Sequence, residues 1–154
     1  MTEPMPTPPS SALTTQQTAE FVRDRMLAGD PVSRGLGMQV AQISPGHAVL
    51  TMTVRADMLN SHDMCHGGLI ATFADSAFAF ACNSYNELTV ASGFSVDLIA
   101  PGRLGDVLTA RCHEVSKAGR TGVYDTEVTN HRHERVAVFL GRSYTIKGKP
   151  AVSD

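Results

Sequence analysis

Residues 67–84 read GGLIATFADSAFAFACNS and carry the strongest helix signal in the chain. The run is rich in alanine and phenylalanine and contains no proline, which predicts a helix of roughly 25 Å. Apolar side chains fall on nearly every face, and this predicts a helix buried all round rather than one lying on a surface. Asp75 is the only charged residue in the run. Because an ionised carboxylate buried without partners is costly, we expect Asp75 to be paired, protonated or functional.

Strand signals flank this helix on both sides. Before it, apolar residues alternate on either side of a Ser-Pro-Gly-His turn within residues 38–54, which predicts a hairpin. After it, further β-type runs cover residues 89–101, 106–117, 122–130 and 134–146. Strands and helices do not alternate, so a parallel α/β sheet is not expected. The pattern predicts a sheet that curls around one central helix.

The remaining segments set the expected domain limits. Residues 1–14 combine repeated proline with serine and threonine, which predicts a disordered N-terminal tail. A short helix is expected from Thr15, which would cap it, with Phe21, Val22 and Met26 as its apolar stripe and residues 29–31 as its end. We therefore expect one domain over residues 15–148 and a C-terminal tail over residues 149–154.

Composition excludes several classes of function. The 154 residues have a formal net charge of -2, so no overall positive field would attract nucleic acid or an anionic membrane. Three widely spaced cysteines, Cys65, Cys82 and Cys112, favour reduced thiols over a disulfide framework. There is no basic stretch followed by an apolar run at the N-terminus, and no apolar segment reaches the ~20 residues of a membrane span. A cytoplasmic location is expected.

Several motifs in order identify a resemblance. Residues 60–84, NSHDMCHGGLIATFADSAFAFACNS, are followed by SVD at 95–97, APGRLGD at 100–106 and KAGRT at 117–121. Together they resemble the hotdog-fold thioesterases of the phenylacetic-acid degradation type (PaaI-like) over residues 16–147. The resemblance implies an α+β hotdog fold, in which one long central helix is wrapped by a curved antiparallel sheet of five to six strands.

The resemblance also implies an active site. Thioester hydrolysis needs a group that attacks the carbonyl carbon or activates water, and donors for the oxyanion that forms. In the family the residue matching Asp75 is nucleophile or general base, and both roles stay open here. The Gly67 backbone N–H would donate to the oxyanion, and Asn60 would orient water or the carbonyl from the neighbouring subunit. Ser95 matches a serine that positions water in some relatives, and His66 would polarise or shape the loop.

Structural interpretations stand beside these roles. Asp75 would equally suit a salt-bridged helix residue at a subunit interface, and Gly67 with Gly68 would suit the first turn of a buried helix. His66 would suit a purely structural histidine. The nearby group of His62, Asp63, Cys65 and His66 resembles a metal site only superficially, because adjacent loop residues rarely face one centre. No metal is expected.

Coenzyme A would need local cations for its phosphates. Lys117, Arg120, Thr121 and Gly122 lie in or beside a turn where family members contact CoA, together with Gly68 at the helix start. Arg120 suits phosphate through its bidentate fork. The alternative is a solvated hairpin turn, and Arg103 and Arg142 are weaker candidates. No cofactor is expected, since CoA is part of the substrate.

Two classes of function follow. The first is a thioesterase acting on aryl-acetyl-CoA or a related medium-sized acyl-CoA, working as a homodimer with shared active sites and assembling into a homotetramer. The second is a non-catalytic acyl-CoA-binding or sensing module. A hydratase is disfavoured because the His-Phe-Pro-Gly pattern of one such branch is absent. Asp75, Asn60 and Gly67 together favour the enzyme.

Overall fold

The computed structural model describes residues 12–154, so most of the expected N-terminal tail lies outside the described residues. The chain adopts the expected α+β hotdog architecture, in which one long helix packs on an antiparallel sheet of six strands. The helices are α1 (Thr15–Ala28), α2 (Pro31–Gly35) and α3 (Gly67–Asn83), with a 3-10 turn at Ala56–Met58. The strands are β1 (Gln39–Ser44), β2 (His47–Thr53), β3 (Thr89–Leu98), β4 (Val107–Ala118), β5 (Thr121–Thr129) and β6 (Arg135–Thr145).

The strands lie in the order β1-β2-β4-β5-β6-β3, and every neighbouring pair is antiparallel. The predicted hairpin is confirmed as β1 and β2. Its turn contains Gly46 at a φ of 76°, a left-handed conformation that glycine adopts without strain. Every run predicted as β after the central helix forms a strand. Strand β3 forms one edge of the sheet, where among the described strands it pairs only with β6.

Helix α3 is buried on its sheet side but not all round, which corrects the expectation from its composition. Phe73, Phe78 and Phe80 are each at most 1% exposed and form the centre of the core. The opposite face, with Thr72, Asp75, Ser76 and Ala79 at successive turns, is only half-buried. The sheet curls around one side of the helix, so small residues on the other side reflect an incompletely covered face.

The N-terminal helices differ from the prediction in two details. Thr14, not Thr15, caps α1: its hydroxyl accepts from the Gln17 N–H while the Gln17 side chain accepts from the Thr14 N–H. Pro31 does not only follow α1 but also begins α2, where its missing N–H costs nothing. Asp30 caps α2 by accepting from the Ser33 N–H at 3.0 Å.

The C-terminal residues expected to form a tail contact the domain. The Lys149 carbonyl accepts from the Leu88 N–H at 2.9 Å, and the Val152 N–H donates to Asn86 Oδ1 at 3.0 Å. These bonds hold residues 149–152 against the segment that joins α3 to β3. Over the described part of the chain, no helix has the length and apolar character needed to cross a membrane.

Candidate active site

The start of α3 presents an amide that has no hydrogen-bond partner among the described residues. His66 is the N-cap, and its ring Nδ1 accepts from the Gly68 N–H at 3.2 Å. The His66 N–H itself donates to the Met58 carbonyl at 2.8 Å. The Gly67 N–H has no hydrogen-bond partner within residues 12–154. Gly67 therefore offers a donor at the positive end of the helix dipole, where negative charge is favoured.

Asn60 is fixed by the loop that precedes the helix. Its Oδ1 accepts from the backbone N–H groups of His62 at 2.9 Å and Met64 at 3.2 Å. The Asn60 N–H donates to the Met64 carbonyl at 2.8 Å, which closes the loop. Because Oδ1 accepts two protein hydrogen bonds, the amide orientation is determined and Nδ2 stays available as a donor. The geometry suits Asn60 to donate to an oxygen.

Asn60 and Gly67 line the same cleft, which has a volume of about 310 Å³. Its other walls are mostly apolar and come from the loop, the helix and the end of β3: Met64, Cys65, Ile70, Leu98, Ile99, Ala100 and Pro101. The sequence had not singled these walls out, because they converge from three separate segments. Burial raises the pKa of the Cys65 thiol. Cys65 therefore stays a neutral thiol at neutral pH and lacks the thiolate that a cysteine nucleophile needs.

Asp75 lies two turns further along α3, on the half-buried face. Within residues 12–154 its carboxylate forms no hydrogen bond and no ion pair, unlike the structural carboxylate of Asp106, which is bonded to Arg132. Desolvation by burial raises the pKa of the Asp75 carboxyl above its ordinary value. An unpaired, partly desolvated carboxylate is more basic than a solvated one, and this is the state that suits a base or nucleophile.

One chain does not bring all the predicted catalytic residues together. Asn60 and Gly67 share a cleft, but eight residues of helix place Asp75 about 12 Å along the axis from Gly67. The Ser95 side chain points away from α3. Ser95 pairs with Leu140 on β6, whose neighbour Phe139 faces the helix, so Ser95 lies on the exposed sheet face opposite α3.

Four of the candidate CoA residues, Lys117, Arg120, Thr121 and Gly122, lie at the β4–β5 turn, at the far end of α3 from Gly67. Lys117 is already engaged: its Nζ lies 3.4 Å from Glu87 Oε1 and 3.7 Å from the Tyr85 ring centroid. Arg120 is exposed, and its guanidinium has no hydrogen-bond or ion-pair partner in the described chain. Thr121 Oγ1 donates to the Ala118 carbonyl within the turn.

Of the remaining residues considered for CoA binding, Gly122 is buried, whereas Gly68, Arg103 and Arg142 are exposed. Gly122 is buried, and a Cβ there would lie 2.6 Å from Ser143 Oγ, so the strand requires glycine for packing. Gly68 is exposed beside His66 at the helix start. The Arg142 side chain lies across Gly93 on the outer sheet face, and Arg103 is exposed in the β3–β4 connection.

A partly buried polar network at the end of α3 was not predicted. Tyr124 donates to Glu114 Oε1 at 3.1 Å, and Tyr85 donates to Glu114 Oε2 at 3.0 Å. Burial and the neighbouring carboxylate raise the pKa of Tyr85 to about 12 and raise the pKa of Tyr124 further. Nothing in the sequence pairs these residues, since Glu114 lies 29 residues from Tyr85. Three or more His, Cys, Asp or Glu side chains suited to one metal ion are not found together within residues 12–154.

Known proteins resemble this chain in sequence and in structure. The family described as the thioesterase superfamily matches residues 62–137. The acyl-coenzyme A thioesterase PaaI of Escherichia coli K12 is 44% identical over 123 residues, which cover 80% of this chain and 88% of the relative. The structure of the E. coli PaaI protein from the phenylacetic acid degradation operon superposes with a TM-score of 0.86 at 40% identity, covering 88% of this chain and 99% of that one. A Streptococcus mutans protein solved with bound acetyl CoA has a TM-score of 0.71 at 26% identity, with 73% and 91% covered.

The fold and these similarities define a hotdog-fold thioester hydrolase. The chain belongs to the thioesterase superfamily, in its PaaI-like family. The expectation of an enzyme rather than a binding module is therefore confirmed at the level of the family.

Proposed function

We propose that this enzyme hydrolyses an aryl-acetyl-CoA, of the phenylacetyl or hydroxyphenylacetyl type, or a related medium-sized acyl-CoA to the free acid and CoA. The observation that carries the proposal is the partly desolvated carboxylate of Asp75 on the open face of a helix whose first amide is that of Gly67, since neither group has a partner within residues 12–154. The PaaI relative from the phenylacetic acid degradation operon supports the acyl class, and the relative solved with acetyl CoA supports the thioester class.

Two routes use the same residues. In one, the Asp75 carboxylate attacks the thioester carbonyl carbon and CoA leaves as a thiolate, after which water hydrolyses the resulting anhydride. In the other, Asp75 takes a proton from a water molecule as that water attacks the carbonyl carbon, and the tetrahedral intermediate then breaks its carbon–sulfur bond to release CoA as a thiolate. Both routes pass through a tetrahedral oxyanion. The Gly67 N–H would stabilise it, and Asn60 Nδ2 would orient the carbonyl or the attacking water.

The separation of Asp75 from Gly67 in one chain supports a shared site in a homodimer. Strand β3 is a ten-residue sheet edge with exposed apolar side chains, including Val90, Phe94 and Leu98 at 44%, 45% and 54% exposure. Such an edge is a template for pairing with another chain. The other edge, β1, is partly covered because Gln16 of α1 donates to the Ile43 carbonyl at 2.8 Å. The open edge therefore favours β3-to-β3 pairing.

The position of Asp75 along α3 decides which register this pairing needs. Asp75 lies about 12 Å from Gly67 along the helix, and Phe94 lies about 13 Å from Leu98 along β3, so Phe94 is at the level of Asp75. Antiparallel strands centred near Val96 would set Phe94 of one chain opposite Leu98 of the second copy. Leu98 lies against Gly67, so this register would bring Gly67 of the second copy to the level of Asp75. Within one chain, Leu98 and Val90 are about 27 Å apart along β3. In this register, Leu98 of one chain and Val90 of the second copy would be only about 13 Å apart.

That shortening would bring the β4–β5 turn toward the shared cleft. Val90 pairs with Tyr144, and Tyr144 pairs with Thr121, so the turn lies at the Val90 end of β3. The exposed guanidinium of Arg120 would contact CoA phosphate there, with Lys117 adding positive charge. Two such dimers would form a homotetramer with closed symmetry.

An acyl-CoA panel tests the activity and the role of Asp75. Release of free thiol is measured for phenylacetyl-CoA, hydroxyphenylacetyl-CoA, hexanoyl-CoA and octanoyl-CoA with the wild type, Asp75→Asn and the control Asp24→Asn on the surface of α1. We expect Asp75→Asn to lower kcat roughly 10²- to 10⁴-fold and Asp24→Asn to leave it unchanged. Wild-type kcat should fall as the pH drops through the raised pKa of Asp75, because only the carboxylate acts.

Thermal unfolding keeps this experiment interpretable. A folded-state pKa above the unfolded value means that ionised Asp75 lowers stability at neutral pH, so Asp75→Asn should unfold at the same or a higher temperature. Near-normal turnover by folded Asp75→Asn would refute the role of this carboxylate. Failure of the wild type to cleave any acyl-CoA would refute the proposed activity.

A further inference from the structure

Two contacts align strand β3 with helix α3. At one end, the Thr89 N–H donates to Asn83 Oδ1 at 2.9 Å, and Asn83 Nδ2 donates to the Thr89 carbonyl at 3.0 Å. At the other end, Leu98 lies so close to Gly67 that a Cβ on this glycine would fall 2.6 Å from Leu98 Cδ1. Strand β3 and helix α3 are therefore antiparallel: the start of β3 lies at the end of α3, and the end of β3 lies at the start of α3.

Phe94 lies about halfway along this strand, as Asp75 does along the helix. Asp75 is eight residues from Gly67 in a helix of 17 residues, and Phe94 is four residues from Leu98 in a strand of ten. With a rise of about 1.5 Å per helical residue and about 3.3 Å per strand residue, these positions are roughly 12 Å and 13 Å from the shared level. Phe94 is thus level with the carboxylate.

The Phe94 ring lies on the helix side of the sheet, and a second aromatic ring packs against one of its faces. It stacks on Phe139 with centroids 4.9 Å apart and an interplanar angle of 28°. Phe139 is buried and in turn contacts Phe78, one helical turn after Asp75, at 5.8 Å. Phe94 itself remains 45% exposed. In a single chain, one face of this supported ring is therefore open at the level of Asp75. In the proposed dimer Leu98 of the second copy would lie opposite Phe94, and because Leu98 lines the cleft that contains Asn60 and Gly67, the ring would border that shared cleft.

We propose that Phe94 is a specificity-determining residue whose open ring face stacks against an aryl group in the acyl part of the substrate. This inference rests on the proposed thioesterase function and deepens it. Aromatic pairs gain attraction from stacking beyond the area they bury, whereas an alkyl chain gains only burial. A ring at this position would therefore favour aryl-acetyl over straight-chain acyl groups, while Phe73, Phe78 and Phe80 are too deeply buried to do so.

The test compares substrate preference rather than activity alone. The ratio of kcat/KM for phenylacetyl-CoA to kcat/KM for hexanoyl-CoA is measured for the wild type, Phe94→Leu and Phe94→Tyr. Leucine keeps an apolar side chain at the strand edge but removes the ring, and tyrosine keeps the ring. Val90→Ala is the matched control, because Val90 is equally exposed on β3 but lies on the opposite sheet face, paired with Tyr144. Size-exclusion chromatography follows the oligomeric state of each variant.

We expect Phe94→Leu to lower the ratio roughly 2- to 12-fold, the range of an aromatic pair, with Phe94→Tyr and Val90→Ala near the wild type and the oligomeric state unchanged. Equal losses for both substrates, or a loss that appears only with dissociation, would show that Phe94 packs the interface and would overturn the inference. An unchanged ratio would overturn it as well. If the wild type cleaves neither substrate, the proposed function fails, and this inference fails with it.

Discussion

Gly67 lies against the Leu98 side chain, so a single added methyl group tests whether the position of its amide matters. An added Cβ would lie 2.6 Å from Leu98 Cδ1, inside any real contact distance, so the helix start or Leu98 must move. Alanine keeps the backbone N–H, so activity falls only as far as the clash displaces this amide, and we expect Gly67→Ala to lower kcat/KM by at most the roughly 10²-fold effect of one lost oxyanion donor. The double variant Gly67→Ala/Leu98→Ala should recover activity toward that of Leu98→Ala, because the smaller side chain removes the clash.

Gly35→Ala controls for the general effect of adding a methyl group, because no atom of residues 12–154 outside its chain neighbours and its own helix backbone lies within 4 Å of a Cβ there. Thermal unfolding of each variant separates a local change from loss of the fold. If folded Gly67→Ala hydrolyses acyl-CoA at the wild-type rate, the expectation that the clash with Leu98 displaces this amide is wrong.

The sequence predicts which residues are unusual more readily than it predicts their partners. A lone carboxylate in an apolar helix is visible in the sequence, and the structure finds Asp75 without a partner among the described residues. The two backbone donors to Asn60 depend on the path of a short loop, and the contacts of Lys117 with Glu87 and Tyr85 span up to 32 residues. Such contacts follow from tertiary packing, which residue order alone does not specify.

At the scale of elements, the end of α3 is tethered to the sheet through Glu114. Its carboxylate accepts from Tyr124, which is 1% exposed, and from Tyr85, which is half-buried. Glu114→Ala would leave the Tyr124 hydroxyl buried without this partner, which costs about 1–3 kcal/mol of unfolding free energy. Urea denaturation measures this loss. Tyr85→Phe should cost less, because it removes a donor and leaves Glu114 bonded to Tyr124.

The same tether predicts how stability changes at alkaline pH. The pKa of Tyr85 is raised to about 12 in the folded protein, whereas an unfolded tyrosine ionises near pH 10. The stabilisation is therefore complete below about pH 10 and is lost as the pH rises toward 12. Glu114→Ala should show a shallower alkaline loss than the wild type, and Glu134→Ala, an exposed carboxylate between β5 and β6 that is paired with Arg132, should show the wild-type slope. Equal slopes in all three proteins would contradict the tether.

Element boundaries follow from the sequence where local chemistry is strong. The hairpin, the strands and the long helix are all predicted, because hydrophobic periodicity and turn residues act over a few neighbours. The open face of α3 is not predicted. Alanine and serine at positions such as Ser76 and Ala79 suit both a buried helix and one awaiting a second subunit, so composition does not distinguish the two.

At the scale of the whole molecule, a single chain does not bring the proposed catalytic residues together. Asn60 and Gly67 line one cleft, but Asp75 is about 12 Å along the helix from Gly67, too far for both to contact one carbonyl group. The same chain leaves a ten-residue apolar edge at β3 without a second neighbour among the described strands. Both features are explained if two copies pair through β3 and exchange half-sites.

Mixing inactive variants tests this exchange. In a dimer of Asp75→Asn with Asn60→Ala, one site loses both residues, but the other receives Asp75 from one chain and Asn60 from the second and is intact. Random pairing puts half of the chains into mixed dimers with one working site each, so we expect about a quarter of the wild-type activity. Differently tagged subunits, refolded together, allow the mixed dimers to be counted. No recovery despite confirmed mixed dimers would place both residues of each site on one chain.

A second mixture, of the double variant with the wild type, tests the same shared site in the opposite direction, because here shared sites predict a loss of activity. When the double variant Asp75→Asn/Asn60→Ala is paired with the wild type, every shared site of a mixed dimer lacks one residue, so only the wild-type dimers remain active. Equal mixing should then leave about a quarter of the wild-type activity, whereas sites contained within one chain would leave about half. Because shared sites predict recovery in the first mixture and extra loss in the second, a general effect of refolding or dilution on activity does not imitate both results.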